Sequence, residues 1–368
     1  MAIVDLLESG LGIVRSESDI TAEWVQGLLH GSKALESGVT VTGITTERIG
    51  EGVGVLSIIQ RVTPAYSGAT KAPATIVIKY PTDDPTQRFT ADVLTLYVRE
   101  LEFYKQVAPD SPFRAPRCFA AAIAENNDFT VVMEDIGAYR ACNQLDGMTL
   151  DEARAVISDL ADFHATWWNS PRLPALEQWF QPISNPTYHA MLPQLWQAGW
   201  PFATQHASHL IPDGIGDLGE KWPERISWML EEMMHPHTLL HGDCRADNIF
   251  FDGNEPVLLD FQISGTGVGV YDIAYLVSQS LKPEVRKGHD RELVDTYIAR
   301  LEHHGIEVDS EDMWRKYRIA VVMCVTYAVT TFPSYEAQNE RGKQLIGEMF
   351  SRALQAVVDS DAWSAVTG

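Results

Sequence analysis

From His241 to Phe261 the chain reads HGDCRADNIFFDGNEPVLLDF. Three side chains in it could act together: Asp243, Asn248 five residues on, and Asp260 twelve beyond that, across a turn at DGNEP. Phosphoryl transfer asks little covalent help of a protein. It needs positioning, a cation to neutralise phosphate oxygens, and a carboxylate to orient the attacking hydroxyl. Mg²⁺ takes hard oxygen ligands, few of them from protein, and one carboxylate with one amide oxygen is a suitable set. A strand–turn–strand hairpin would bring Asn248 and Asp260 together, with Asp243 in the loop before the first strand. A lone Asp in a turn means nothing; this spacing predicts a metal-assisted phosphoryl-transfer site.

A second feature lies far upstream. GEGVG places Gly50, Gly52 and Gly54 between two β-type segments, where the backbone can approach phosphates closely. The spacing is not GxGxxG, and more strand rather than a helix follows, which excludes a dinucleotide-binding reading. Lys79 ends the strand TIVIKY, and the next helical segment carries Glu100 and Glu102.

These residues need elements to hold them. Thr21 is placed to cap a short helix running to Leu29. Val39 to Tyr80 is rich in Val, Ile and Thr between Gly and Pro punctuation and reads as strands. Thr90 to Val107 reads as one helix with Leu94, Tyr97, Leu101 and Tyr104 in a stripe. PRCFAAAIA and FTVVMEDI read as two strands around the turn ENND. After Ile136 the pattern is mainly helical, including a long helix from Leu150 to Trp168 with Asp151 and Glu152 at its start. The region around residues 238–262 is the one later β-rich insert. The expected fold is therefore α+β: residues 1–135 a β-rich N-terminal lobe for nucleotide, residues 136–368 a helical C-terminal lobe with the acidic cluster.

The bulk properties narrow the partners. A net charge of −22 leaves no basic footprint for nucleic acid. The longest apolar stretch, Ile319 to Phe332, is too short to span a bilayer and reads as a buried helix. Cys118, Cys142, Cys244 and Cys324 form no CxxC pair, which argues against a disulfide framework or zinc site. The N-terminal stretch lacks a basic leader. A cytoplasmic protein without nucleic-acid partner or membrane insertion is expected.

HGDCRADN followed by DFQ resembles the catalytic segments of the aminoglycoside phosphotransferase and choline kinase superfamily. LADFHATWW and FQISGTGVGVYDIAYLVSQSL make the whole chain most similar to its ecdysteroid-kinase-like (CHK kinase-like) branch, from about Thr21 onward. The resemblance implies a protein-kinase-like two-lobed fold, with ATP and Mg²⁺ as cofactors and a small-molecule hydroxyl as acceptor. It implies Asp243 as the catalytic base and Asn248 and Asp260 as metal ligands. It implies Lys79 as the cation on the α- and β-phosphates, held by Glu100, with Glu102 the rival partner. It implies a hinge in which backbone groups of Glu134 and Ile136 meet the adenine edge with Met133 behind. His241 would brace the loop, and Asp272 would be structural, as an N-cap of the helix in VYDIAYL. Arg245 could meet a phosphate or pair with a nearby carboxylate.

A protein kinase is disfavoured, because few residues separate Asp260 from Asp272 and no activation segment fits. A non-catalytic nucleotide-binding module would normally have lost Lys79, Asp243, Asn248 or Asp260, and a phosphohydrolase would need a His-rich metal set. Seven of the ten tryptophans fall between Trp167 and Trp228. They are either core or part of an acceptor pocket, with Tyr188, Trp196 and Trp200 the first to test. The acceptor's identity and the oligomeric state are not encoded legibly.

Overall fold

The computed structural model describes residues 3–50 and 56–368. The chain divides into two compact units, Met1–Asp110 with Ala115–Tyr139, and Ser111–Arg114 with Arg140–Gly368.

The first unit is built on a six-stranded sheet of order β1-β5-β6-β4-β3-β2. Its strands are β1 (Val4–Asp5), β2 (Val41–Ile49), β3 (Ser57–Tyr66), β4 (Ile76–Pro81), β5 (Cys118–Ile123) and β6 (Phe129–Glu134). All neighbours pair antiparallel except β1, which runs parallel to β5. Helix α1 (Ala22–Gly31) starts as expected, with the Thr21 hydroxyl accepting from Trp24 N. Its Trp24, Val25, Leu28 and Leu29 share one core with Ile76, Ile78 and Tyr80 of β4. Side chains alternate across a strand, so Val77 and Lys79 point to the other face of the sheet. Every residue of β4 is buried, which explains why this central strand reads as a nearly continuous apolar run.

The helix expected over 90–107 is instead two. Helix α2 (Pro85–Val93) is capped by Asp84. The chain then breaks at Thr95, which takes a left-handed φ of +54°. Helix α3 (Leu96–Glu102) follows and runs into a π-helical turn at Phe103–Val107. The apolar stripe misleads because Leu96, Tyr97, Leu101, Phe103 and Tyr104 are all buried, and a continuous buried pattern hides a change of helical pitch. Tyr97 stacks on Phe129 of β6, with ring centroids 4.2 Å apart, which fixes α3 against the sheet.

The second unit is mainly helical. A three-stranded sheet joins β7 (Arg140–Ala141) to the hairpin β9 (Ile249–Asp252) and β10 (Glu255–Leu258). Strand β8 (Thr238–Leu240) pairs with β11 (Gly265–Gly267), a three-residue strand too short and glycine-rich to read from sequence. Helix α4 (Leu150–Trp167) opens on a reciprocal capping box between Thr149 and Glu152. It is followed by α5 (Leu173–Leu176), α6 (Pro186–Ala207), α7 (Leu218–Glu232), α8 (Val270–Ser280), α9 (Pro283–Arg286), α10 (Asp290–His303), α11 (Ser310–Val329), α12 (Glu340–Asp359) and α13 (Ser364–Thr367). All eleven residues of α8 are buried, and α11 carries the apolar stretch from Ile319 as a buried segment. Among the described residues no helix is long and apolar enough to cross a membrane. The four cysteines are free thiols.

Candidate active site

The β9–β10 hairpin sets the first relation. Ile249 lies opposite Leu258, and one step further Leu259 N donates to Asn248 O at 3.1 Å. Asp260 is therefore the next residue after the one hydrogen-bonded to Asn248. It sits at a left-handed φ of +67°, a conformation that costs energy for a non-glycine residue and collects at functional sites. Gln262 Nε2 donates to its Oδ2 at 3.4 Å.

The loop before β9 sets the second. Asn248 Nδ2 donates to both the carbonyl and Oδ2 of Asp243, each at 3.0 Å. With its nitrogen committed to Asp243, the amide turns its oxygen the other way. Tyr275 of α8 donates its O–H to Asp243 Oδ1 at 2.7 Å, and Arg245 Nε lies 3.3 Å from the same oxygen. Arg245 also reaches Asp247 Oδ2 at 3.0 Å, so the carboxylate-pairing alternative describes this side chain. Burial pushes the Asp243 carboxyl above the usual carboxylate range; Arg245 opposes that shift and Asp260 adds to it. The influence of Asp260 on Asp243 locates the two carboxylates in one field.

Asp272 is what holds the loop's backbone. It is not an N-cap, a position that Gly269 takes; it lies within the first turn of α8, fully buried. Its Oδ2 accepts from His241 N at 2.7 Å and its Oδ1 from Gly242 N at 2.9 Å. His164 Nε2 lies 3.2 Å from the same Oδ2, and its Nδ1 3.1 Å from the Tyr297 hydroxyl. His241 braces from inside the loop, its Nδ1 accepting from Asp243 N at 3.3 Å and its ring 5.0 Å from that of Phe261. Gly242 has φ +84°, and a Cβ there would stand 2.4 Å from Ile263 O, so no larger residue fits without moving the loop. The sequence singled out Asp272 but not this contact, and it offered no signal for Tyr275.

In the first unit, Lys79 Nζ lies 2.7 Å from Glu100 Oε2, with both side chains buried. Glu102, the rival, instead accepts from Gln106 at 3.1 Å. Gly50 has φ +71°; Gly52 and Gly54 lie outside the described residues. Met133 and Glu134 end β6, and the Glu134 N–H donates to Arg117 O at 2.8 Å. The Glu134 N–H is therefore committed and is not the group that an adenine edge would meet. The Ile136 carbonyl accepts from Tyr139 N at 2.9 Å, which leaves an N–H as its part in such an edge.

The donor set suits Mg²⁺. Asn248 and Asp260 offer oxygen only, and among the described residues no cluster of three His, Cys, Asp or Glu side chains makes a softer or all-protein site. The tryptophans divide differently from a pocket wall. Trp196 and Trp222 are fully buried and stack at 4.3 Å, with indole N–H groups on Gly219 O at 2.9 Å and Val322 O at 3.3 Å. Trp200 is half-buried and stacks on Trp196 at 5.3 Å.

The model of the ecdysteroid kinase-like family matches residues 51–309. No curated protein matches the chain in sequence. Among solved structures, choline kinase from Cryptosporidium parvum is similar over 92% of this chain and 97% of its own, at 14% identity and a TM-score of 0.57. A putative aminoglycoside phosphotransferase from Ralstonia eutropha covers the same shares at 13% identity and a TM-score of 0.53. Amicoumacin kinase in complex with AMP-PNP, Ca²⁺ and Ami is similar over 86% of this chain and 89% of its own, at 11% identity and a TM-score of 0.53. These likenesses carry the fold, α+β and kinase-like, with a β-rich N-terminal part and a helical remainder. With the family match extending over well more than half its length, the chain belongs to the ecdysteroid kinase-like family.

Proposed function

We propose that the protein transfers the γ-phosphoryl group of ATP to a hydroxyl of a small molecule, with Mg²⁺. The observation that carries the reading is the Asp243–Asn248 pair, held by two 3.0 Å hydrogen bonds on a loop whose backbone is fixed by buried Asp272. Asp243 orients the acceptor hydroxyl and takes its proton. Burial raises its pKa, which makes the ionised form a stronger base than an exposed carboxylate, and Arg245 opposes that rise. Asn248 Oδ1 and Asp260 hold the metal, which when bound neutralises phosphate charge. Arg245 stays with its two carboxylates and guards the loop's geometry.

In the first unit, Lys79 supplies the phosphate cation. Fixing it on Glu100 removes the reorganisation that a mobile lysine would need. The glycine-rich segment that begins at Gly50 is assigned to the phosphates, and Glu134, Ile136 and Met133 to the adenine. The relative bound to AMP-PNP supports nucleotide use.

The test is ADP release from Mg²⁺·ATP against a panel of amino sugars, choline-like amines, sterols and small alcohols, with Asp243→Asn alongside. Acceptor-dependent release that the variant loses, while still binding ATP, supports the assignment. A variant that keeps wild-type turnover removes Asp243 from the role, and ATP binding without release to any acceptor favours a non-catalytic nucleotide-binding module.

A further inference from the structure

The mechanism above leaves a set of tyrosines around the Asp243 loop without a task. Tyr275 is fully buried on α8 and its hydroxyl has one hydrogen bond, 2.7 Å to Asp243 Oδ1. Its ring stacks on that of Tyr327 from α11, centroids 4.4 Å apart and 27° from parallel. Tyr327 donates to the Gly242 carbonyl at 3.3 Å and shares a 2.7 Å hydrogen bond with the Tyr271 hydroxyl. One helix thus holds the loop at two points three residues apart on the same face. Asp272 takes the backbone N–H groups of His241 and Gly242, and Tyr275 takes the carboxylate of Asp243.

The two oxygens of Asp243 are not equivalent. Oδ1 accepts from the Tyr275 hydroxyl and has the Arg245 guanidinium against it, Nε at 3.3 Å, whereas among the described residues Oδ2 meets the Asn248 amide alone. A carboxylate oxygen accepts about two good hydrogen bonds in its plane; beside its one hydrogen bond Oδ1 carries the Arg245 ion pair, while among the described residues no second group stands at Oδ2. We propose that Tyr275 is a positioning residue that locks the Asp243 carboxylate so that Oδ2 is the oxygen presented to the acceptor hydroxyl. The inference rests on the phosphotransfer reading and assigns the proton within it. As the acceptor oxygen bonds to the γ-phosphorus, its O–H proton passes to Oδ2, and the bond from phosphorus to the bridging oxygen breaks with its electron pair leaving on ADP. A phenol suits the task. Burial, and then the neighbouring Asp243 charge, keep Tyr275 protonated far above its ordinary range, so it donates and never competes for the acceptor's proton. The stack on Tyr327 prevents the ring from turning away.

Tyr275→Phe deletes the hydroxyl and keeps the ring and its stack. Two measurements decide. The first is a crystal structure of the variant, in which the carboxylate of Asp243 is expected to rotate and lose its 3.0 Å contact with Asn248 Nδ2. The second is steady-state turnover with the acceptor found by the ADP-release panel. There kcat is expected to fall about tenfold or more, the equivalent of one hydrogen bond to a charged group, while KM for ATP stays within about twofold. A carboxylate unmoved in the variant overturns the proposal, as does a kcat within about twofold of wild type, even if the melting temperature falls, because that pattern is a purely structural hydroxyl. A wild-type enzyme that releases ADP with no acceptor counts against the phosphotransfer reading instead, and the crystallographic measurement then decides the Tyr275 assignment by itself.

Discussion

Asp272→Asn is the most informative substitution outside the reacting groups. The native carboxylate accepts two backbone N–H groups at 2.7 and 2.9 Å, from His241 and Gly242, in a fully buried position. Asparagine is nearly isosteric but has one acceptor oxygen. Whichever way the amide turns, one of the two backbone donors faces an NH₂ group. The variant loses one charge-assisted hydrogen bond, worth about 1.5–3 kcal/mol, and leaves a buried donor unsatisfied at about 1–3 kcal/mol. Removing a buried negative charge recovers part of that, since burying a charge is itself costly, and His164 at 3.2 Å keeps only a neutral neighbour. A net loss of about 3 kcal/mol is the expected outcome.

For a unit of this size, about 2–4 °C per kcal/mol turns this into a fall of roughly 6–12 °C in melting temperature. Tryptophan fluorescence reads it directly, because Trp196 and Trp222 lie buried in the same unit. Turnover should fall further than stability explains when both proteins are assayed well below their transitions, since the loop that carries Asp243 is no longer held. A variant that melts within about 2 °C of wild type and turns over normally would falsify the claim that Asp272 is the brace of this loop.

Two other outcomes follow from the same geometry. Lys79→Met takes the cation from a buried ion pair, the Glu100 side chain being only 2% exposed, and removing one partner of a buried pair costs about 3–5 kcal/mol. The double variant with Glu100→Gln should regain most of that stability but not ATP affinity; calorimetry showing native ATP binding in the double variant refutes Lys79 as the phosphate cation. Asp159 on α4 has its carboxyl pushed up to about 6, by burial first and then by the Asp162 carboxylate. A raised carboxyl pKa means the ionised form is disfavoured in the folded state, so the penalty is absent below the unfolded value, about 3.8, grows through the interval to about 6, and is complete above it. Asp159→Asn should therefore raise the melting temperature at pH 8 and leave it unchanged near pH 3, and equal effects at the two pH values would rule this origin out.

What the sequence exposes and what it hides divide along a physical line. Asn248 and Asp260 are readable as neighbours because a short hairpin with a turn at Gly253 and Asn254 leaves almost no freedom of register. Glu100 over Glu102 is readable only through the family resemblance; the structure adds the physical reason, since Glu100 is buried against Lys79 and a neighbour two positions on cannot share that helix face. The break at Thr95 and the π-helical turn after Glu102 are hidden, because both preserve an apolar pattern that one regular helix would also give. Asp272 shows how a correct residue receives the wrong reason. Near the start of a helix, an Asp is a good cap by local chemistry alone. Its actual partners, the N–H groups of His241 and Gly242, lie 31 and 30 residues earlier, and they become available only because α8 is buried along its whole length beside that loop. Tyr275 carries no local signature, for a tyrosine three residues after Asp272 in a buried helix is ordinary core by any pattern. Its meaning comes from the carboxylate opposite it, and that is a property of packing between distant segments rather than of either segment's sequence.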